Sequence, residues 1–265
     1  SLLKTADISD VFDETLEDAT NMFLDCTSLK SVNWGTTKLN GLKTAGGMFA
    51  RSGIESIDLS GLFGTNLQNC ENMFLDCKSV VTIDLSDNQL YSVKNGSGMF
   101  GRCSNLKTIY VSNNFTGLTT SDNMFLDDRA IIGGSGVKFN AAKIDKSMAN
   151  WKTGYLTLKN GPILRKDCMN EINNWITEDK YDTIVFDDST VPVSGDTLDL
   201  SMKNNRSVLA YLDESTKTLH ISSNNKGDII FPEDSSYMFA DIQRKKSIFK
   251  NVYTGKVTNM QGMFK

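Results

Sequence analysis

The dipeptide Met-Phe occurs seven times, at Met22, Met48, Met73, Met99, Met124, Met238 and Met263. The first five are separated by 26, 25, 26 and 25 residues, and the last two by 25. A fixed period of that length marks a repeat array, in which a unit too small to bury its own apolar face stacks on copies of itself.

Alignment on the Met shows which other slots recur. Seven residues later stand Leu29, Val80, Leu106 and Ile131, with Ile54 one place early. Ten later come Val32, Ile83 and Ile109, and twelve later Trp34, Leu85 and Val111; Ile57 and Leu59 are again one early, because the repeat starting at Met48 is one residue short. Six before the Met stands Leu16, Leu42, Leu67, Val93, Leu118 or Val257. The apolar residues ten and twelve after the Met alternate, as in a short strand with those side chains turned inward. Leu3 to Ser9 repeats the pattern of Leu106 to Ser112, so the chain begins within a repeat already under way. Stacked copies would form a parallel sheet of short strands along one side of a solenoid.

The stretches Asn21-Met22-Phe23, Asn72-Met73-Phe74-Leu75-Asp76-Cys77 and Ile83-Asp84-Leu85-Ser86 resemble the BspA-like leucine-rich-repeat surface proteins of bacteria. The likeness covers about 150 residues, and the repeat array is expected over residues 1–160. It implies a leucine-rich-repeat-like α/β solenoid at the cell surface or outside the cell. The family's usual role is adhesion, with host matrix or plasma glycoproteins such as fibronectin or fibrinogen as typical partners.

The pattern weakens toward residue 160. Gly133-Gly134-Ser135-Gly136 is an insertion that places Val137 and Phe139 three residues late, and Met148 is followed by Ala149. From Pro162 onward, Leu164, Cys168, Ile172, Trp175 and Ile176 recur at helical spacing, which predicts a helix over 163–178. Tyr181 to Phe186 reads as a strand, and helix and strand over 161–190 would form an α+β cap or linker. Over 191–265 the runs Ser207 to Leu212 and Thr218 to Ser222 predict a hairpin, followed by the start of a second repeat array. Ala210-Tyr211-Leu212 and Pro232 to Ser236 resemble the leader that introduces a fresh block in BspA-like proteins. The second block stops at Lys265, directly after Met263-Phe264.

Composition narrows the function classes. Among 265 residues, 39% are hydrophobic and 23% charged, as in folded domains. The net charge of -4 provides no basic field for nucleic acid. The single histidine, His220, leaves no material for a histidine relay and little for a metal site, and no phosphate loop or zinc motif occurs. The expectation is therefore no enzyme, no cofactor and no nucleic-acid partner. A glycan-processing enzyme would need two convergent carboxylates in a cleft. No run approaches the roughly 20 apolar residues that span a bilayer, so no transmembrane segment is expected.

The candidate protein-binding face is the outward side of the sheet: Ser56, Asp58 and Ser60, then Thr82, Asp84 and Ser86, then Thr108, Tyr110 and Ser112. Asp58 and Asp84 would be adjacent like charges, which costs free energy unless a cation or hydrogen bonds compensate. Calcium or a partner could do so, and a solvated polar ladder is the simpler reading. Cys26, Cys77 and Cys103 share the slot four after the Met with Ser52 and Asp128, and read as small buried thiols; Cys70 occupies a small-residue slot. The Met-Phe pairs read as scaffold, and His220 as a hydrogen-bonded structural residue in a strand. Seven acids precede residue 26 (Asp7, Asp10, Asp13, Glu14, Glu17, Asp18 and Asp25), and Arg244-Lys245-Lys246 is the one dense basic run. Asn95, Asn114 and Asn205 head sequons, discounted because the resemblance is bacterial. Two functions follow as expectations: protein recognition or adhesion, or a passive stalk with no ligand of its own.

Overall fold

The computed structural model describes residues 2–9, 11–192, 195–202, 206–224, 228–240, 246–255 and 257–264. The chain divides into two compact units, Ser1–Asn160 and Gly161–Lys265. Both are built mainly of short strands, and the described residues contain one α-helix.

In the first unit the repeats contribute short strands, β1 (Thr5–Asp7), β2 (Ser31–Asn33), β3 (Ser56–Asp58), β4 (Thr82–Leu85), β5 (Thr108–Val111) and β6 (Leu156–Leu158), the repeat that starts at Met124 supplying none. All pairings are parallel, β1 with β2 and then β3-β4-β5-β6 in one sheet. Like slots pair with like, Ile57 with Ile83 and Ile83 with Ile109, because any other register would turn the apolar set outward. Strands β1, β3 and β4 run into Asp-x-Ser. Asp58 and Asp84 each accept a hydrogen bond from the backbone N–H two residues on, at 2.9 Å, and this local bond competes with continuation of the ladder.

A second ladder runs through the Met-Phe segments. The N–H groups of Asn21, Phe23 and Asp25 donate to the carbonyls of Gly46, Met48 and Ala50, and the same pattern recurs at Asn72, Phe74 and Asp76. The residue before each of the first five Phe-linked Met residues, Asn or Gly, has φ between +56° and +62°, a region that these two residue types enter at least cost. Inside the stack, Phe23, Phe49, Phe74, Phe100 and Phe125 form a column with centroid spacings of 5.4, 5.4, 5.9 and 5.5 Å. Tyr155 closes it edge-on at 5.2 Å. Met48, Met73, Met99 and Met124 are buried beside the column, so these pairs form the core. Each buried ring contributes about 2 kcal/mol by transfer, and each stacked pair roughly 1 kcal/mol more.

The insertion leaves the sheet. Gly133 N–H donates to the Val137 carbonyl and Ile132 bridges Lys138 antiparallel, so 132–138 folds on itself as a small loop. The strand after it, β6, takes the vacated place beside β5.

In the second unit, α1 (Cys168–Trp175) packs on a sheet ordered β12-β7-β10-β9-β8. These strands are β7 (Thr183–Asp187), β8 (Leu198–Asp199), β9 (Leu209–Asp213), β10 (Thr218–Ser222) and β12 (Lys246–Phe249). A parallel pair, β11 (Ile229–Ile230) and β13 (Val252–Tyr253), lies outside this sheet. The helix is shorter than the 163–178 expected from periodicity. Leu164 N–H donates to Ile230 and Arg165 N–H to Leu200, which holds the segment after Pro162 extended, and Ile176 is again extended. The expected hairpin is β9–β10, antiparallel with Ala210 opposite Ile221. Strand β7 lies between β10 and β12, so the segments 161–190 and 191–265 share one core, with Ile172, Phe186, Leu219, Phe231 and Phe239 among its members. The Met-Phe ladder restarts there, Tyr237 N–H to Gln261 and Phe239 N–H to Met263.

Candidate functional site

The outward positions of β3, β4 and β5 lie in register, Asp58 beside Asp84 and Asp84 beside Tyr110. They differ sharply in exposure. Ser56 and Asp58 are exposed, Ser60, Thr82, Thr108 and Tyr110 half-buried, and Asp84, Ser86 and Ser112 buried, Ser86 completely. Three of the nine positions thus offer little surface to a partner. Lys159, which follows β6, lies against two of these buried residues, Asp84 and Ser112. Its ammonium passes 5.4 Å over the Tyr110 ring and pairs with Asp84 Oδ2. Ser86 donates its hydroxyl to Asp84 Oδ1 at 2.6 Å, and Ser112 donates to the Lys159 carbonyl at 2.6 Å.

The cation demanded by two adjacent carboxylates therefore comes from the chain itself. The hydrogen bond that Lys159 donates to Asp84, against some desolvation, raises the Lys159 pKa, with the charges of Asp84 and Asp58 adding to it. Burial works against ionisation of Asp58, but the bonds from Ser60 and the charge of Lys159 outweigh it and hold its carboxyl below the usual range. Among the described residues no group of three or more His, Cys, Asp or Glu is placed to hold a metal ion.

The other candidates fall into structural roles. Cys77 and Cys103 donate their thiols to the Phe49 and Phe74 carbonyls at 2.9 and 3.0 Å, and all five cysteines are free. Burial pushes the Cys70 thiol up to about 12. Asp128, at the end of the same slot, is fully buried; it accepts from Cys103 N–H at 2.9 Å while its second oxygen has no partner, and burial pushes its pKa up to about 9. His220, on β10, places Nδ1 3.1 Å from Asp187 Oδ2 and stacks on Tyr211 at 4.7 Å. The Ser189 hydroxyl bonds the same carboxylate and Tyr211.

Three of the seven early acids cap local turns, Asp7 to Ser9, Asp13 to Thr15 and Asp18 to Thr20, while Glu17 pairs with Lys43. Of the sequon residues, Asn95 lies in the inter-repeat ladder and Asn114 accepts from Trp151 N–H. Asp10, Asn205, Arg244, Lys245 and Lys265 lie outside the described residues; Lys246 opens β12.

Two sets of residues escape a reading by apolar slots. Lys159 belongs to no repeat slot, and nothing local marks it. The slot three after the Met does carry a signal: Asp25, Arg51, Asp76, Arg102 and Asp127 alternate in sign. Arg51 grips Asp25 with two nitrogens at 2.6 and 2.8 Å, and Arg102 lies 3.7 Å from Asp76.

Residues 17–133 match the family described as Mycoplasma protein of unknown function, DUF285. No curated protein and no solved structure matches the chain. Among the described residues no helix is long and apolar enough to cross a membrane.

Proposed function

We propose that the chain is part of a BspA-like leucine-rich-repeat solenoid at a bacterial cell surface or secreted from it, and that it mediates protein–protein interaction or adhesion to host extracellular proteins. The observation that carries this reading is the parallel, in-register pairing of repeat on repeat, which puts the apolar slots inside and lays out rows of polar side chains at strand spacing. Such surfaces suit extended protein partners. The match to a bacterial family over 17–133 supports the assignment to this kind of organism. The alternative, a passive stalk or spacer, draws support from Lys159 and Asp84, which leave the centre of the sheet face satisfied by the chain itself.

The test is surface plasmon resonance of the full chain against fibronectin, fibrinogen and a panel of other matrix and plasma glycoproteins. Saturable binding to one member supports adhesion, and flat responses across the panel support the spacer.

A further inference from the structure

A different face of the first unit, formed by the Met-Phe segments, holds two open cups of about 320 and 420 Å³, within the range of ligand sites. They are built from matching slots. Alternate repeats place Asn21, Asn72 and Asn123 one residue before the Met, and Leu24, Leu75 and Leu126 two residues after it. The repeats between them carry Gly47 and Gly98, then Ala50 and Gly101, in those slots. Each small pair leaves a hollow between two large ones. The first cup lies between Leu24 and Leu75 and the second between Leu75 and Leu126, with Asn72 and Leu75 common to both.

Positive φ and the Asn side chain of the preceding repeat favour glycine in the hollow. A Cβ on Gly47 would stand 2.2 Å from Asn21 Oδ1, and one on Gly98 2.1 Å from Asn72 Oδ1. The alternation makes two repeats the true period of this face, so the cups recur about 10 Å apart, two strand spacings.

The rim chemistry has the same period. Arg51 and Arg102 stand on one side, each engaged by the acid of the preceding repeat. Glu71 and Asp122 stand exposed in matching slots on the other; the Glu71 carboxylate accepts a hydrogen bond from the Asn95 amide, and neither acid pairs with a cation among the described residues. The side-chain amides of Asn21, Asn72 and Asn123 make no hydrogen bond to any described residue. The face thus presents aliphatic walls, unused amides and unpaired negative charge, twice over.

We propose that the two cups bind an extended, basic peptide segment of a partner protein in the polyproline II conformation. Its three residues per turn and rise of about 3.1 Å bring every third side chain to the same side about 9 Å apart, close to the cup spacing. A β-strand instead turns its third side chain to the opposite face. An aliphatic side chain enters each cup, a neighbouring Lys or Arg meets Glu71 or Asp122, and the asparagine amides bond a ligand backbone that has no internal hydrogen bonds. This deepens the protein-binding reading and rests on it, while placing the site away from the sheet face.

The probe is a fluorescent peptide of repeated Pro-Leu-Lys triplets, titrated by anisotropy into the full chain, beside a peptide of the same composition without the triplet period. The variants are Leu75→Ala, which opens the common wall, and the exposed pair Glu71→Gln with Asp122→Asn, which leaves the packing intact; circular dichroism checks the fold of each. The triplet peptide is expected to bind saturably, with affinity roughly tenfold lower for the scrambled peptide and for either variant, and with a flatter salt dependence in the carboxylate variant. No binding of the triplet peptide, equal binding of the scrambled one, or affinity unchanged in the carboxylate variant overturns the proposal. The glycoprotein panel repeated with the carboxylate variant separates the two ideas. Glycoprotein binding that survives the substitutions overturns the cups and leaves adhesion standing. Triplet binding with a flat panel supports the cups and overturns adhesion to those glycoproteins.

Discussion

The ammonium of Lys159 reaches back across the Tyr110 ring to the carboxylate of Asp84, 75 residues earlier in the chain. It joins the strand after the insertion to the middle of the sheet and offsets the repulsion between Asp58 and Asp84.

Removing Lys159 leaves Asp84, only 6% exposed, without its counter-charge. Lys159→Met is expected to destabilise the first unit by about 2 kcal/mol, read from the urea midpoint. Adding Asp84→Asn should recover most of the loss. The raised Lys159 pKa gives the sign with pH: its stabilisation is fully present below the unfolded lysine value and is lost as pH rises through the folded one. The lowered Asp58 pKa acts at the other end, its stabilisation being present above the unfolded value and lost on acidification.

Asp128 has the opposite sign from an ordinary acid. A carboxyl pushed up to about 9 in the folded state favours folding below the unfolded value and progressively disfavours it as pH rises toward 9. Asp128→Asn keeps the acceptor for Cys103 N–H and cannot ionise. The variant should match the parent near pH 4 and become more stable above it, the gap widening as pH rises toward 9. Equal urea midpoints for the two proteins at pH 8 would show that Asp128 is not held neutral.

Phe74 has a ring on each side, Phe49 at 5.4 Å and Phe100 at 5.9 Å. Phe74→Ala removes a ring from the middle of the column and is expected to cost about 4 kcal/mol. Hydrogen exchange should show the loss in the flanking repeats first, because each repeat is ordered mainly by its neighbours.

Gly98 has φ +62° and lies under the Asn72 side chain. Gly98→Ala is expected to destabilise by about 1–2 kcal/mol, part backbone and part collision. Asn72→Ala in the same chain removes the colliding oxygen, so the double variant should melt above the additive expectation. Strict additivity would mean that the two repeats do not interlock in this way.

Met-Phe spacing and the recurrent Leu and Ile slots were sufficient to place the strands from Thr5 to Val111, their parallel register and the buried column. An apolar side chain that returns every 25 or 26 residues can leave water only by lying over its own copies, so period and packing carry the same information. The hairpin over Leu209 to Ser222 was legible for a similar reason, since its alternation and turn lie within one short stretch. Other features depended on residues far apart in the chain. Leu164 and Arg165 read as helix, yet Ile230 and Leu200 offered their backbone donors carbonyls and drew them into extended structure. Asp84, Ser86 and Ser112 read as surface, yet all three are buried, and β6 closed on β5 and brought Lys159 to Asp84 and Ser112. The Asn/Gly and Leu/small alternations stand in the sequence as well, but they become hollows only when one repeat lies against the next. Periodicity reports which side chains avoid water; which distant group satisfies a buried charge or a free N–H is settled by the folded neighbours, because hydrogen bonds and ion pairs act only at contact.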